Sequence, residues 1–491
     1  MKRVPFILVG MLLVCMTVGA DEMPQQGRRG MVRADWSVRR AQHGQDRGPG
    51  GDYFTGEKHQ LVVMAEFADQ TFSGDEAATM TQWDKILNAK HYDEEPFRGS
   101  VRDYFYDQSY GQFTVNFDLT YVKVGAREKY RSTEEDDENS QYLVNDVIDI
   151  LIARDIDWRL YDWNGDGYVN QLLIIYAGKG SGYGGFGGGD DAIWPHQWWL
   201  SEHLKDRQQG VYCEPRTVDY SGQHYMIDSY CAVQELSSKG TYSTFGTLCH
   251  EYTHCFGMPD FYNQRMNSTP SQWDLMDTGN YNGNGFCPAG YSAHERWLMG
   301  WLTPVELSQT TIVSDMPALA DEAVAYLIRN DGYAEEYYMV ENRQQKSWDA
   351  ELPGSGVVVF HIDYDPYLWL TGTVNSSNTQ HYMLIKANNK ASKAYSSGWA
   401  YPYEGNNALT DVTTPSADLW HANTSGSQLL SKPLTKISVT DGLASFVFME
   451  TTGIGAVRSD AAGPQKILRN GTVYIVRGER LYTIQGLEIK Q

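Results

Sequence analysis

Basic residues are in short supply: 40 Lys and Arg stand against 62 Asp and Glu in 491 residues, a formal charge of -22. A surface of that sign repels phosphate backbones, which removes nucleic-acid binding from the function classes to consider. Cysteine is also sparse, with six in the chain and no CxxC pair, so a zinc-thiolate site has little behind it. The glycine-rich run GKGSGYGGFGGGDD, residues 178–191, lacks the Lys-Ser/Thr of a phosphate-binding loop and reads as a mobile surface connection. Apolar runs long enough to span a membrane are missing, since the one from Val4 to Val18 is too short and wrongly flanked. No internal repeat stands out.

That same run has a basic start before it and Val18-Gly19-Ala20 at its end, the layout of a signal peptide over residues 1–20. Export is therefore expected, with no transmembrane anchor once the signal and Cys15 are cut away. Bulky Val14 and the apolar residues after Cys15 speak against a lipid anchor. Five cysteines remain, Cys213, Cys231, Cys249, Cys255 and Cys287, which allows two disulfides and one free thiol. The sequence does not decide the pairing; Cys213 with Cys231 is the expectation.

Residues 21–57 carry Arg, Gly, Gln and Asp with few large apolar side chains, a composition suited to a flexible leader or short propeptide. Order is expected from about His59, where HQLVVMAEFAD reads as a strand. GSVRDYFYDQSYGQFTVNFDLTYV predicts a helix, a turn and a strand; YLVNDVIDILIAR, residues 142–154, has helical spacing, and LLIIYAG, residues 172–178, reads as a buried strand. Helices alternating with strands predict an α+β domain over residues 58–304. Short alternating runs then predict a β-rich, sandwich-like domain over residues 305–450. Turn signals at Asn470-Gly471 and Arg477-Gly478 predict a small β tail over residues 451–491.

The stretch LCHEYTHCFGMPDFY, residues 248–262, carries the chemistry. A helix beginning near Ser243 or Thr244 and ending at Gly257 places His250 and His254 one turn apart on one face, where both imidazoles can reach one ion. Glu251 beside them suits a general base that activates a zinc-bound water. A catalytic zinc needs a third protein ligand. Gly257 lets the chain leave the helix sharply, with a positive φ, and Pro259 stiffens the exit, so Asp260 can turn back toward the metal. An amphipathic core helix with hydrogen-bonded, metal-free histidines can carry HExxH too; the longer pattern H-E-x-x-H-x-x-G-x-x-D is harder to meet by chance. A Glu on a later helix completes the site in another class of zincins, and Glu295 in YSAHERWLMGW is the alternative third ligand. Cys249 and Cys255 each adjoin a histidine, so they face mostly away from the metal and read as packing or disulfide residues.

Those residues, with GSVRDYFYDQSYGQF, WDLMDTGNYNG, SAHERWLMGWLTP, EEYYMVENRQ and LPGSGVVVFHID, make the chain resemble the immune inhibitor A family of secreted metallopeptidases, relatives of the metzincins. The likeness covers most of residues 59–365. It implies a zincin fold, a cleft over the zinc helix and hydrolysis of peptide bonds in protein substrates. It also implies that Met276 in WDLMDTG is the Met-turn residue beneath the metal ligands, and that Tyr281 is a phenol that stabilises the oxyanion. Many such peptidases are made as zymogens; with no Cys in residues 21–58, a cysteine-based latency switch is unavailable here. The C-terminal block resembles the sorting domains that Bacteroidetes-type bacteria attach to cargo of their type IX secretion machinery, although a last β-hairpin of the preceding domain would look similar.

YDWNGDGYVNQ places Asp162, Asn164 and Asp166 at alternate positions before Gly167, like the first half of a calcium loop with the Tyr168 carbonyl following. Leu173 stands where an EF-hand has its bidentate Glu, and an Asx-rich turn explains the run equally well. His196 in WPHQWW reads as a structural histidine. The sequence thus predicts an exported zinc endopeptidase that uses Zn2+, and Ca2+ if the loop is a site. The alternative is a zincin-like surface protein that has lost catalysis and binds host proteins or glycans.

Overall fold

The computed structural model describes residues 54–131, 139–181, 193–206, 210–242, 244–263 and 269–450, together with four strands between 465 and 489. The signal peptide, nearly all of the leader, Ser243, most of the glycine-rich run and the turn positions 470, 471 and 478 lie outside the described residues.

The first part of the chain is built on strand β1 (Gly56–Phe67), helices α1 (Glu76–Asn88) and α2 (Val101–Gln108), strand β2 (Phe113–Val124), helix α3 (Ser140–Ile152) and strands β3 (Leu172–Lys179), β4 (His196–Trp199) and β5 (Ser229–Leu236). The first two helices begin where the sequence signals it. Asp75 caps α1 by accepting from the Ala78 N–H, and Ser100 with Asp103 forms a capping box at the start of α2. The strands make one mixed sheet in the order β2-β1-β3-β5-β4. β2, β1, β3 and β5 run parallel, and β4 runs antiparallel to β5 at the edge. Strand β3 is apolar on both faces and buried through Gly178, as a central strand covered on both sides must be.

Two helices complete this part, α4 (Phe245–His254) and α5 (Ala293–Leu298). Every residue of α4 is buried, and its two flanks are anchored differently. Tyr252 donates its hydroxyl to Gln60 Oε1 on β1 at 2.9 Å, while the hydroxyls of Thr253 and Tyr291 lie 2.6 Å apart. The helix is thereby held between the sheet and the segment leading into α5. Thr244 occupies the N-cap position without capping, since its hydroxyl donates to the Glu235 carbonyl at 3.1 Å and so ties the helix start to β5.

Strand pairing continues in the second part, through β6 (Val305–Glu306), β7 (Thr311–Met316), β8 (Tyr326–Arg329), β9 (Glu336–Arg343), β10 (Gly356–Asp363), helix α6 (Pro366–Leu370), β11 (Tyr382–Ile385), β12 (Leu434–Thr440) and β13 (Leu443–Phe448). Five of these strands form a sheet in the order β6-β8-β9-β10-β11, and three form a smaller one, β7-β13-β12. The two parts share a core: one hydrophobic cluster contains Val62, Ile174, Phe256 and Met276 of the first and Met339, Phe360 and Tyr382 of the second. The chain divides into two compact units after Phe448, and nothing in the cluster marks a break at residue 304. The described tail is a four-stranded antiparallel meander of Gln465–Arg469, Thr472–Arg477, Arg480–Thr483 and Glu488–Ile489. No helix among the described residues is long and apolar enough to cross a membrane.

Candidate metal centre

Helix α4 ends at His254, and the chain leaves through Gly257, whose φ of +86° is a conformation that side chains other than glycine rarely adopt. That turn brings Asp260 back over the helix. Its Oδ1 lies 3.1 Å from His250 Nε2 and 3.4 Å from His254 Nε2, and all three side chains are buried. Among the described residues, these three are the one group whose His, Cys, Asp or Glu donor atoms all lie within 4.8 Å of one another. Glu295, the alternative third ligand, is elsewhere: it forms the capping box of α5 with Ser292, accepting the Ser292 N–H at 2.6 Å. Burial and the nearby Asp274 charge raise its pKa well above the usual carboxylate range.

The ring orientations decide what the cluster can hold. His250 Nδ1 lies 2.8 Å from the Leu275 carbonyl and His254 Nδ1 lies 2.7 Å from the Met258 carbonyl. A carbonyl only accepts, so each Nδ1 carries a proton and each ring, when neutral, presents its Nε2 lone pair. His254 Nε2 and both oxygens of Asp260 are buried without any hydrogen-bond partner. Such orphaned polar atoms are costly unless something binds them. Two nitrogens and a carboxylate are a usual zinc donor set, and bonds of about 2.0 Å in a tetrahedron separate the ligand atoms by about 3.3 Å. The observed 3.1 and 3.4 Å match that spacing. The residues present therefore fit a zinc ion.

Electrostatics point the same way. Burial pushes the His250 ring down, but the Asp260 carboxylate beside it outweighs that and raises the ring to about 9. Burial pushes the Asp260 carboxyl up, and the His254 and His250 rings outweigh that and hold it below its ordinary range. The pocket favours a positive charge between these groups. Glu251, adjacent in the helix and also buried, has Oε2 without a hydrogen-bond partner.

The remaining predicted residues fall into three groups. Met276 is fully buried, follows the residue that holds His250, and accepts the Phe261 N–H at 2.8 Å through its carbonyl. Tyr281 lies half exposed in the 3-10 segment Thr278–Gly285, which packs on α4. Gly246 makes that packing close, since a Cβ there would come within 1.9 Å of the Asn280 carbonyl oxygen. Asp162, Asn164 and Asp166 hydrogen-bond to one another's backbone and side chains in Asx turns. Asp162 accepts the N–H groups of Asp166 and Gly167 at 3.1 and 2.9 Å, Asn164 Nδ2 donates to Asp166 at 3.1 Å, and Asp166 accepts the Tyr168 N–H at 2.8 Å. His196 is structural, held by the Trp194 carbonyl at 2.6 Å and the Tyr230 hydroxyl at 2.8 Å.

The expected Cys213–Cys231 disulfide is not formed, and no disulfide joins the cysteines among the described residues. Cys231 sits on β5 near Cys255, and burial pushes its thiol well above its ordinary pKa. Sequence reasoning also missed Leu275, Asn375 and Tyr382. The first contributes only a backbone carbonyl, and the other two come from more than 100 residues further along the chain than the residues they support.

Residues 55–299 match the catalytic domain of the immune inhibitor A peptidase M6 family. Immune inhibitor A of Bacillus thuringiensis subsp. alesti is 27% identical over 274 residues, covering 48% of this chain and 38% of that protein. Pre-pro-metalloprotease PrtV of Vibrio cholerae serotype O1, from two strains, is 30% identical over 179 residues, covering 32% of this chain and 18% of that protein. The alignments thus span well under half the length of these relatives.

Proposed function

The chain belongs to the M6 family of immune inhibitor A peptidases, and from that premise we propose that it is an exported zinc endopeptidase cutting peptide bonds of extracellular proteins. The observation that carries the proposal is the convergence of His250, His254 and Asp260 beside a buried glutamate with an unengaged oxygen. In this reading the three residues hold the ion in a zincin-like catalytic domain. When bound, zinc supplies Lewis acidity that makes a water more acidic and polarises the scissile carbonyl.

The rest of the work falls to the protein. Glu251 Oε2 takes a proton from the attacking water and passes it to the leaving amide nitrogen as the carbon–nitrogen bond breaks. The Leu275 and Met258 carbonyls keep both histidines in the tautomer that points Nε2 at the ion. Met276 forms an apolar floor, and Tyr281, exposed on the segment packed against α4, donates to the developing oxyanion. Strand β4, the antiparallel edge that packs against α4, offers backbone groups with which an extended peptide can pair. The same reading takes residues 1–20 as the export signal, 21–57 as the leader and 451–491 as a β tail for a secretion machinery.

Metal analysis of the full-length chain tests the proposal. One zinc per chain is expected, with casein cleavage abolished by a chelator and restored by zinc. A folded, zinc-free protein that cleaves nothing would contradict it and favour a binding role.

A further inference from the structure

We propose that Tyr382, on the second sheet, is a positioning residue for the metal centre, bracing the two backbone segments that support His250 and Asp260. The inference rests on the zinc reading above and extends it to a part of the chain outside the matched catalytic domain.

Two segments matter. The first is Asp260-Phe261. The Tyr382 ring stacks on Phe261 with centroids 3.9 Å apart and planes 24° from parallel, and Phe360 stacks against Tyr382 at 5.0 Å. Asn375 locks the arrangement, donating from Nδ2 to the carbonyls of Phe261 and Tyr382 at 2.8 Å each and accepting the Tyr382 N–H at 3.1 Å. The second segment is Asp274-Leu275-Met276. The Tyr382 hydroxyl donates to Asp274 Oδ2 at 2.8 Å, while Asp274 Oδ1 accepts the Met276 N–H at 2.8 Å. Leu275, held between these two, offers the carbonyl that fixes the His250 ring.

The two segments are joined directly by the Phe261 N–H donating to the Met276 carbonyl at 2.8 Å. Tyr382 is fully buried and touches both, by its ring face on one side and its hydroxyl on the other. A ring and a hydroxyl at fixed separation thus set the distance between the residue after Asp260 and the loop that orients His250. Supporting contacts of this kind commonly govern metal affinity.

Tyr382→Phe separates the two functions, because it keeps the stacking and removes only the hydroxyl. Ser292→Ala is the control. Its Oγ also lies 2.9 Å from the Tyr382 hydroxyl and caps α5, so its loss loosens the same neighbourhood without cutting the link to Asp274. Zinc affinity is measured on the full-length chain by chelator competition, beside thermal unfolding of the metal-free protein and casein kinetics at saturating zinc. The expected result for Tyr382→Phe is about 10-fold weaker zinc binding and a lower kcat with KM unchanged. Ser292→Ala should unfold earlier yet bind zinc as the wild type does. Unchanged zinc affinity in Tyr382→Phe, or an equal loss in Ser292→Ala, overturns the brace. A wild-type chain that takes up no zinc instead overturns the proposed function and the brace with it.

Discussion

His250 and Leu275 are joined by a single hydrogen bond, from the ring Nδ1–H to the backbone carbonyl at 2.8 Å. It turns Nε2 toward Asp260, so the ligand atoms of His250, His254 and Asp260 are gathered around one point.

The first prediction separates the two candidates for third ligand. Asp260→Asn should weaken zinc binding by more than the about 100-fold that losing a supporting contact costs. Glu295→Gln should keep zinc at the wild-type level and lower stability by about 1 kcal/mol through the weakened capping box. Zinc content after dialysis against a chelator reads both, and a zinc-depleted Glu295→Gln with normal Asp260→Asn would reverse the assignment.

Gly246 gives a packing prediction. Because an added Cβ would meet the Asn280 carbonyl oxygen at 1.9 Å, Gly246→Ala must push the 278–285 segment away from α4. A loss of about 1–3 kcal/mol is expected from such overpacking, measured by urea unfolding, with lower activity as Tyr281 shifts. Wild-type stability in this variant would mean that the segment does not pack there.

Lys386 gives a pH prediction. Burial holds its ammonium down to about 8, with Asp277 pulling it back up, and it lies 4.1 Å from the centre of the Trp399 ring. Between that value and the ordinary 10.5, the unfolded chain binds a proton that the folded chain has released, so folding becomes more favourable as pH rises. Wild type should therefore gain stability relative to Lys386→Met across this window, and leave the difference constant below about pH 7. Urea unfolding at several pH values checks this, and parallel curves above pH 8 would contradict it.

Much of the centre was legible because its geometry is local. Helical spacing alone brings His250 and His254 to one face, and a glycine followed by proline marks where the chain turns before Asp260. The strands at LLIIYAG and GVVVFHID were legible for a similar reason, since continuous apolar runs of that length signal a buried sheet. What stayed hidden depends on distant contacts. A carbonyl such as that of Leu275 has no side-chain signature. Tyr382 is one of 33 tyrosines until the fold sets it against Phe261. The Cys213 expectation failed likewise, because spacing along the chain does not reveal that Cys231 meets Cys255 across the strand-helix interface.

The central claim is that Glu251 is the base of a zinc peptidase, and Glu251→Gln tests it most directly, since the substitution keeps size and removes only the basic oxygen. The variant should hold one zinc per chain and unfold like the wild type, while casein cleavage falls by about 100-fold to 10,000-fold. A zinc-loaded Glu251→Gln chain that cleaves casein at the wild-type rate would contradict the account.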